Sequence, residues 1–242
     1  MNQKFKVGIA AFAMTAAVSV FAQEVEAEEV EAREAEETES VGWTPVALSL
    51  ASPVQLPWGL AKWDVFGLDL GIFYNDSPNV YGLDVSLANT VREELCGLAL
   101  GGVFNFSQGD VYGMRGTLGV NISNASVYGF DAGGIGIHRN IYGVDAELVC
   151  GIQENIVGAQ FSLICNLTKE ESCGATFSGI NVAKNAYGAQ VGFLYNHAKE
   201  LHGCQIALVN FAQECPWGFQ IGLVNIIMDN TVKVLPIVNG YF

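Results

Sequence analysis

Apolar and polar residues alternate along most of the chain, and the alternation restarts at a glycine every 14, 15 or 16 residues. Alternation with a period of two is typical of a β-strand, because successive side chains point to opposite faces of a sheet. The recurring glycines are Gly67, Gly82, Gly97, Gly113, Gly129, Gly143, Gly158, Gly174, Gly188, Gly203 and Gly218. The pattern therefore predicts an all-β protein with one strand in each repeat.

The two faces of each predicted strand differ in chemistry. In the copy at residues 217–225, Trp217 and Phe219 point to one face, whereas Gly218 and Gln220 point to the other. Across the repeats the first face carries aromatic or aliphatic residues, and the second carries glycine followed by Asp or Gln and then by a small residue. An Asn closes most copies, which suits a turn because its side chain can bond to backbone groups.

Two architectures can close a sheet of such strands. We predict an up-and-down antiparallel β-barrel of about 12 strands and outer-membrane type, because strands of about ten residues match a tilted membrane strand. The continuous apolar face suits contact with lipid, and the chain ends in Phe242, an ending that resembles that of outer-membrane barrels. The alternative is a β-solenoid with one 15-residue repeat per coil, in which neighbouring strands run parallel.

Equivalent residues in consecutive repeats distinguish the two architectures. Parallel coils would stack Asp69 on Asp84 at about 4.8 Å, with electrostatic repulsion that antiparallel strands avoid. Cys150 and Cys165 also hold one repeat position. Parallel coils would bring these two cysteines within disulfide range, whereas antiparallel strands would keep them near opposite ends. The aspartates favour the barrel, and the cysteines offer a direct test of the solenoid.

The repeats begin only after two other segments. An uncharged apolar run behind Lys4 and Lys6, followed by small residues, predicts a secretory signal peptide over residues 1–22. Residues 23–41 contain nine Glu and one Arg, which predicts an acidic, disordered tether. Residues 42–242 then form the β-repeat domain. This organisation predicts an exported protein of the outer membrane or the cell surface.

The charge of the chain limits its partners. The formal net charge is −14, and much of the excess lies in the acidic segment. Such a chain repels phosphate backbones, so we expect no binding to nucleic acid. The expected partner is outer-membrane lipid, and the sequence identifies no protein partner.

Several repeat copies resemble a known family. The segments WGFQIGLVN, HGCQIALVN and YGAQVGFLYN are similar to the tandem GLQIGLVN-type units of the bacterial "surface repeat" proteins. The resemblance covers roughly residues 46–242, but central copies depart from it where Asp or Arg replaces Gln. It implies a cell-surface or outer-membrane location and no established enzymatic activity.

The candidate chemistry is sparse. His197, His202 and Cys204 have a spacing that could bind a metal. However, His202 occupies the aromatic position of its repeat and Cys204 an apolar position, so we interpret both as packing residues. We expect no metal or other cofactor, and at most one bridge among the six cysteines.

The polar residues of the second face are the remaining candidates. In a barrel they would line the lumen and tune its ion preference. They are Asp69, Asp84, Arg115, Asp131, Asp145, Glu147, Gln160, Gln190, Gln205 and Gln220. None forms a recognisable catalytic constellation, so we expect no enzyme. The sequence predicts a structural repeat protein with at most weak porin-like activity, or alternatively a secreted or surface-attached solenoid that acts as an adhesin or scaffold.

Overall fold

The computed structural model describes residues 42–51 and 54–241. The predicted signal peptide (residues 1–22) and acidic tether (residues 23–41) lie outside the described residues. Within the described ranges, nine strands form one sheet, and Leu60–Lys62 forms a short 3₁₀ helix. The strands are β1 (Gly42–Ala51), β2 (Val54–Leu56), β3 (Trp63–Gly71), β4 (Tyr74–Ser107), β5 (Val111–Thr117), β6 (Val120–Ser162), β7 (Cys165–Ile206), β8 (Val209–Ile227) and β9 (Val234–Gly240).

The central strands are much longer than a straight strand because they run around the molecule more than once. Strand β6 has 43 residues and β7 has 42. Their pairing extends from Cys150 opposite Cys165 to Phe161 opposite Phe177, through one local shift of register. Backbone pairing between these two coils therefore continues along most of a repeat, including the positions where the chain bends.

The central strands pair in parallel, with equivalent repeat positions side by side. Gly67 lies opposite Gly82, and Gly113 lies opposite Gly129. The described residues form a parallel β-solenoid of about ten turns. The predicted antiparallel barrel is therefore wrong, and the alternative architecture is correct. Physically, each repeat of about 15 residues bends at its corners and returns to its starting point, so that one repeat forms one whole coil.

The recurring glycine is required by the backbone. At Gly129 the angle φ is 139°, a region that side chains with a Cβ rarely adopt. A Cβ at this position would collide with the carbonyl oxygen of Gly113 on the preceding coil. The other ten repeat glycines also have φ between 119° and 147°. This ladder of glycines lets adjacent coils approach closely at one corner.

The interior of the solenoid is thin and largely polar. Apolar side chains such as Val65, Val80 and Val111 lie two residues before most of the repeat glycines and are fully buried. The rest of the interior is filled by buried Asn, Gln, Asp, Ser and Thr. The apolar residues of the first face point outward, so Phe219 and Leu223 are 45% and 69% exposed.

Aromatic side chains stack along the outer surface. The rings of Tyr112 and Tyr128 are 5.0 Å apart between centroids, and those of Tyr128 and Tyr142 are 4.9 Å apart. The rings of both pairs are nearly parallel, with interplanar angles of 5° and 7°. Such stacks follow from the parallel register, since identical positions repeat at the spacing of neighbouring strands.

Both ends of the described solenoid carry antiparallel strands. Strand β2 pairs antiparallel with β1, and β9 pairs antiparallel with β8. These short strands cover coils that would otherwise present unpaired backbone groups. Among the described residues, no helix is long and apolar enough to cross a membrane.

Candidate functional site

The polar residues that were expected in a barrel lumen lie inside the solenoid instead. All ten are at most 4% exposed. The barrel interpretation of Asp69, Asp84, Arg115, Asp131, Asp145, Glu147, Gln160, Gln190, Gln205 and Gln220 as lumen-lining residues is therefore corrected. The space between the sheet faces is too narrow for a lumen, and the side chains fill it by bonding to one another.

Glutamines stack into a ladder in the C-terminal coils. The amide of Gln205 donates from Nε2 to Oε1 of Gln190 at 2.7 Å, and Gln220 donates to Gln205 at 2.8 Å. An amide carries both donors and acceptors, so identical amides in parallel register satisfy one another. This explains why Gln is suited to a buried repeat position in a solenoid.

Asparagines form a second ladder that is interrupted in the middle of the chain. Asn105 donates to Asn121 at 3.0 Å, and on the far side Asn166 donates to Asn181 at 3.1 Å. Positions 136 and 151, which lie 15 and 30 residues after Asn121, are both glycine. The ladder therefore lacks side chains on two consecutive coils, and other residues occupy that space.

A group of five charged or titratable residues fills this interruption, and we call it the central cluster. It consists of Arg115, Asp131, His138, Asp145 and Glu147, all of which are at most 4% exposed. Four of the five stand at the second or fourth position after a repeat glycine, where the alternation of the strand directs the side chain inward. His138 enters from the opposite side of the same coil as Asp131.

The arginine of the central cluster is fully engaged. Arg115 donates from Nε to Oδ2 of Asp131 at 3.1 Å, and its Nη2 forms an ion pair with the same oxygen. Its Nη1 donates to Ser107 Oγ at 3.1 Å and to the carbonyl of Ile122 at 2.9 Å. Asn121 donates to the second oxygen of Asp131. Asp131 and Arg115 thus form a satisfied buried pair.

His138 faces three carboxylates without a hydrogen bond to any. Its Nε2 lies 3.6 Å from Oδ2 of Asp131, 3.8 Å from Oδ1 of Asp145 and 3.8 Å from Oε1 of Glu147. This nitrogen has no hydrogen-bond partner among the described residues. Burial lowers the pKa of His138 to about 4, so the ring is neutral near pH 7.

Within the described part of the chain, the two remaining carboxyl groups, Asp145 and Glu147, have no cationic partner as Asp131 does. Burial, and then the nearby Asp131, raises the pKa of Asp145 to about 7. Burial, and then Asp145, raises the pKa of Glu147 far above its usual range. Oδ1 of Asp145 and both carboxylate oxygens of Glu147 lack hydrogen-bond partners among the described residues. The cluster therefore combines three carboxyl groups with one guanidinium.

A second acidic pair lies near the N-terminal end of the solenoid. Asp69 stands in register with Asp84, and both are fully buried. Ser77 donates to Asp69 at 2.7 Å, and Asn75 donates to Asp84 at 2.7 Å. Burial raises the pKa of Asp69 to about 6, whereas burial and then Asp69 raise the pKa of Asp84 well above its usual range.

The cysteine test favours the solenoid. Cys150 and Cys165 lie opposite each other on β6 and β7 and form a disulfide, with Cα atoms 4.8 Å apart. The other four cysteines (Cys96, Cys173, Cys204 and Cys215) are free. The parallel alternative predicted this juxtaposition of Cys150 and Cys165, and the barrel excluded it.

The histidines that were weighed as metal ligands belong to aromatic stacks. His202 stacks on Tyr187 with centroids 4.6 Å apart, and its Nε2 lies 2.7 Å from Oε1 of Glu200. His197 stacks on Phe211 at 4.9 Å. Both rings thus pack against aromatic neighbours, as interpreted for His202.

The outer surface carries an apolar groove beside the central cluster. Its volume is about 1310 Å³, and large residues such as Leu100 and Phe161 flank the small residues Gly116, Ala132 and Ala146. Glu147 also lines it. The groove exists because three consecutive coils carry a small residue where the other coils carry Leu, Phe, Val or Ile.

No protein-family profile, curated protein or solved structure matches the chain. The resemblance to surface repeat proteins therefore remains a prediction. Sequence reasoning also missed His138, which is the one ring in the central cluster. Two signals could have found it: glycine in place of Asn at positions 136 and 151, and the charged residues Arg115 and Glu147 at inward positions of the neighbouring repeats.

Proposed function

We propose that this chain is an exported, surface-attached structural protein that acts as an adhesin or scaffold and catalyses no reaction. The observation that carries the proposal is the outward orientation of the large apolar side chains on a continuous sheet. A repeat solenoid presents an extended, regular surface of this kind, and extended surfaces of repeat proteins serve binding.

The exposed apolar side chains support contact with other surfaces. Leu118 is 89% exposed, Phe193 is 77% exposed and Leu163 is 72% exposed, and all three line the groove. Contiguous apolar patches of this size on a soluble surface mark sites of interaction. Covering them would release on the order of 25 cal/mol for each Å² of apolar area.

The position of the titratable groups argues against catalysis. Asp69, Asp84, Asp131 and Asp145 are each 0% exposed, and the solenoid wall separates them from any large substrate. The amide ladders around them are bonded within the fold. Strongly shifted pKa values in this chain therefore reflect burial inside the fold first and neighbouring charged groups second.

The proposal is tested with cells that display the full chain. Protease treatment of intact cells measures whether the solenoid is exposed, and adhesion to octyl-coated beads measures its apolar contacts. We expect the triple variant Leu118→Ser, Leu163→Ser and Phe193→Ser to lose adhesion by more than about tenfold, because each serine removes a large apolar contact. Circular dichroism checks that the variant retains its β-structure.

A matched control replaces exposed aliphatic residues outside the groove. Leu223→Ser, Val232→Ser and Val234→Ser change residues that are 69%, 52% and 55% exposed near the C-terminal end. Because they lie away from the groove, adhesion should stay near the wild-type level. Equal adhesion by both triple variants and the wild type, or protection from protease on intact cells, would contradict the proposal.

A further inference from the structure

Between Asn121 and Asn166, glycine replaces asparagine at the ladder position on two consecutive coils. The histidine and the three acidic residues of the central cluster lie on these two coils. Gly136 and Gly151 stand at the ladder positions between Asn121 and Asn166. A Cβ at residue 136 would lie 2.5 Å from Oε1 of Glu147 and 2.6 Å from Nε2 of His138. The missing side chain therefore leaves room where unpaired polar atoms converge.

We infer that the central cluster binds one divalent transition-metal ion of the Zn²⁺ type. The ligands are Asp131, His138, Asp145 and Glu147. Their geometry carries the inference: the imidazole of His138 is buried, its side chain is 0% exposed, and its unpartnered Nε2 points at one carboxylate oxygen of each acidic residue. One ligand atom from each of Asp131, His138 and Glu147 lies within 4.8 Å of the others.

The separations fit a small contraction around an ion. Nε2 of His138 lies 3.6–3.8 Å from the three carboxylate oxygens. Ligand atoms around a tetrahedral zinc ion stand about 3.3–3.5 Å apart, given Zn–N and Zn–O bonds of about 2.0–2.2 Å. The nitrogen–oxygen separations therefore exceed those of a zinc shell by only a few tenths of an ångström, and the carboxylate oxygens must move closer to one another when the ion binds.

A divalent ion would also balance the charge of the ionised cluster. Asp131, Asp145 and Glu147 carry three negative charges when ionised, and Arg115 supplies one positive charge. Buried charges are stable only when they are paired or coordinate a metal. A divalent ion with a neutral imidazole would bring this buried group to overall neutrality.

The donor set selects the class of ion. Imidazole suits Zn²⁺ and its neighbours in the transition series, whereas Ca²⁺ and Mg²⁺ favour shells made of oxygen alone. The ligands come from two neighbouring coils, those that begin at Gly129 and Gly143, so the ion would clamp these coils together. The groove provides the route of entry, because Gly133 and Glu147 lie on its wall.

Metal binding changes the tautomer of His138. Nη2 of Arg115 lies 3.3 Å from Nδ1 of His138. A guanidinium can only donate, so Nδ1 accepts, and the neutral ring holds its proton on Nε2. Coordination through Nε2 moves this proton to Nδ1, which then faces another donor, Nη2 of Arg115. The imidazole ring of His138 and the guanidinium must therefore separate slightly, and the bonds of Arg115 to Asp131 and Ser107 limit how far the guanidinium moves.

The test titrates the purified full chain with ZnCl₂ after removal of metal by a chelator. The chain has three histidines, which permits a matched control. We expect one equivalent of Zn²⁺ to bind to the wild type and to the double variant His197→Gln and His202→Gln. In His138→Gln the affinity should fall by more than the ~10–100-fold that loss of an outer partner costs.

Two further measurements separate a metal site from a purely structural cluster. Zn²⁺ should raise the melting temperature of the wild type, whereas Glu147→Gln, which keeps the size of the side chain, should melt at one temperature with or without Zn²⁺. The ¹⁵N spectrum of His138 should change from the Nε2–H to the Nδ1–H tautomer on loading.

Three results would overturn the inference. The first is the absence of stoichiometric Zn²⁺ binding by the wild type. The second is equal binding by His138→Gln and Glu147→Gln. The third is loss of binding only in the double variant at His197 and His202. Weak binding by the glutamates of residues 23–41 is common to all variants and is subtracted. Adhesion is measured in a separate experiment with other variants, so a failure to bind Zn²⁺ would overturn this inference without bearing on the proposed function.

Discussion

At the scale of single residues, the fold distinguishes amides from carboxylates at one inward position. Gln205 and Gln220 satisfy each other because an amide both donates and accepts. Asp69 and Asp84 occupy the same position on consecutive coils, but two carboxylates can only accept hydrogen bonds. Their stacking, which seemed to argue against a solenoid, is tolerated because burial favours the protonated form.

This difference gives a prediction of pH dependence. The folded-state pKa of Asp69 is raised to about 6 and that of Asp84 is raised well above its usual value, so the folded protein holds protons that the unfolded chain loses near pH 4. Stability contributed by these protons is full below about pH 4 and is lost as pH rises through the folded pKa values. Urea unfolding should give a lower free energy of unfolding at pH 7.5 than at pH 4.5.

Asp84→Asn should reduce this loss. Its Oδ1 still accepts from Asn75, and its new Nδ2 can donate to the unpartnered Oδ1 of Asp69. We expect a gain on the order of 1–3 kcal/mol at pH 7.5 and little change at pH 4.5. Glu214→Gln, at an exposed position, is the control and should follow the wild-type profile. A variant with an unaltered pH profile would show that the pair is ionised without penalty.

At the scale of elements, the coils are joined by the ladder bonds of β6 and β7 and by one covalent bridge. The disulfide Cys150–Cys165 closes a segment with a sequence separation of 15. It lies beside the central cluster, directly before Gly151, where the asparagine ladder is interrupted. The bridge therefore stabilises a region where amide–amide bonds are missing.

Replacing both bridged cysteines should destabilise the solenoid. A closed loop of this length restricts the unfolded chain by about 3 kcal/mol. We therefore expect the double variant Cys150→Ser and Cys165→Ser to lose roughly that amount in urea unfolding, with no further effect of reductant. Cys96→Ser, which removes an exposed free thiol, is the control. A wild type whose unfolding is insensitive to reductant would contradict this expectation.

At the scale of the whole molecule, stability depends on contacts between neighbouring coils and on protected ends. Strand β9 covers β8 through antiparallel pairs such as Ile221 with Val238. Without such a cover, the last coil would offer unpaired backbone donors and acceptors to another molecule. The two antiparallel end strands thus keep a stackable fold from extending end to end.

Deletion of residues 228–242 tests this role. The shortened chain exposes the edge of β8, so we expect concentration-dependent oligomers in place of the state formed by the full chain. Light scattering coupled to size-exclusion chromatography measures the change. The full chain with Val234→Ser retains β9 and serves as the control. A truncated chain with the same mass distribution as the control would show that β9 has no capping role.

The sequence by itself determined the repeat length, the all-β character, the recurring glycines and the separation of polar from apolar faces. These features are local, because alternation and spacing depend only on residues within one copy. It also identified the ten inward polar residues, but it placed all ten in a lumen.

Only the tertiary structure decided the direction of neighbouring strands, since alternation and spacing are the same for parallel and antiparallel pairing. It also decided that the polar face is sealed inside and that His138 meets Asp145 and Glu147. This contact joins residues from opposite sides of adjacent coils. No spacing within a single repeat encodes it, because it depends on how far apart the two walls of the solenoid lie.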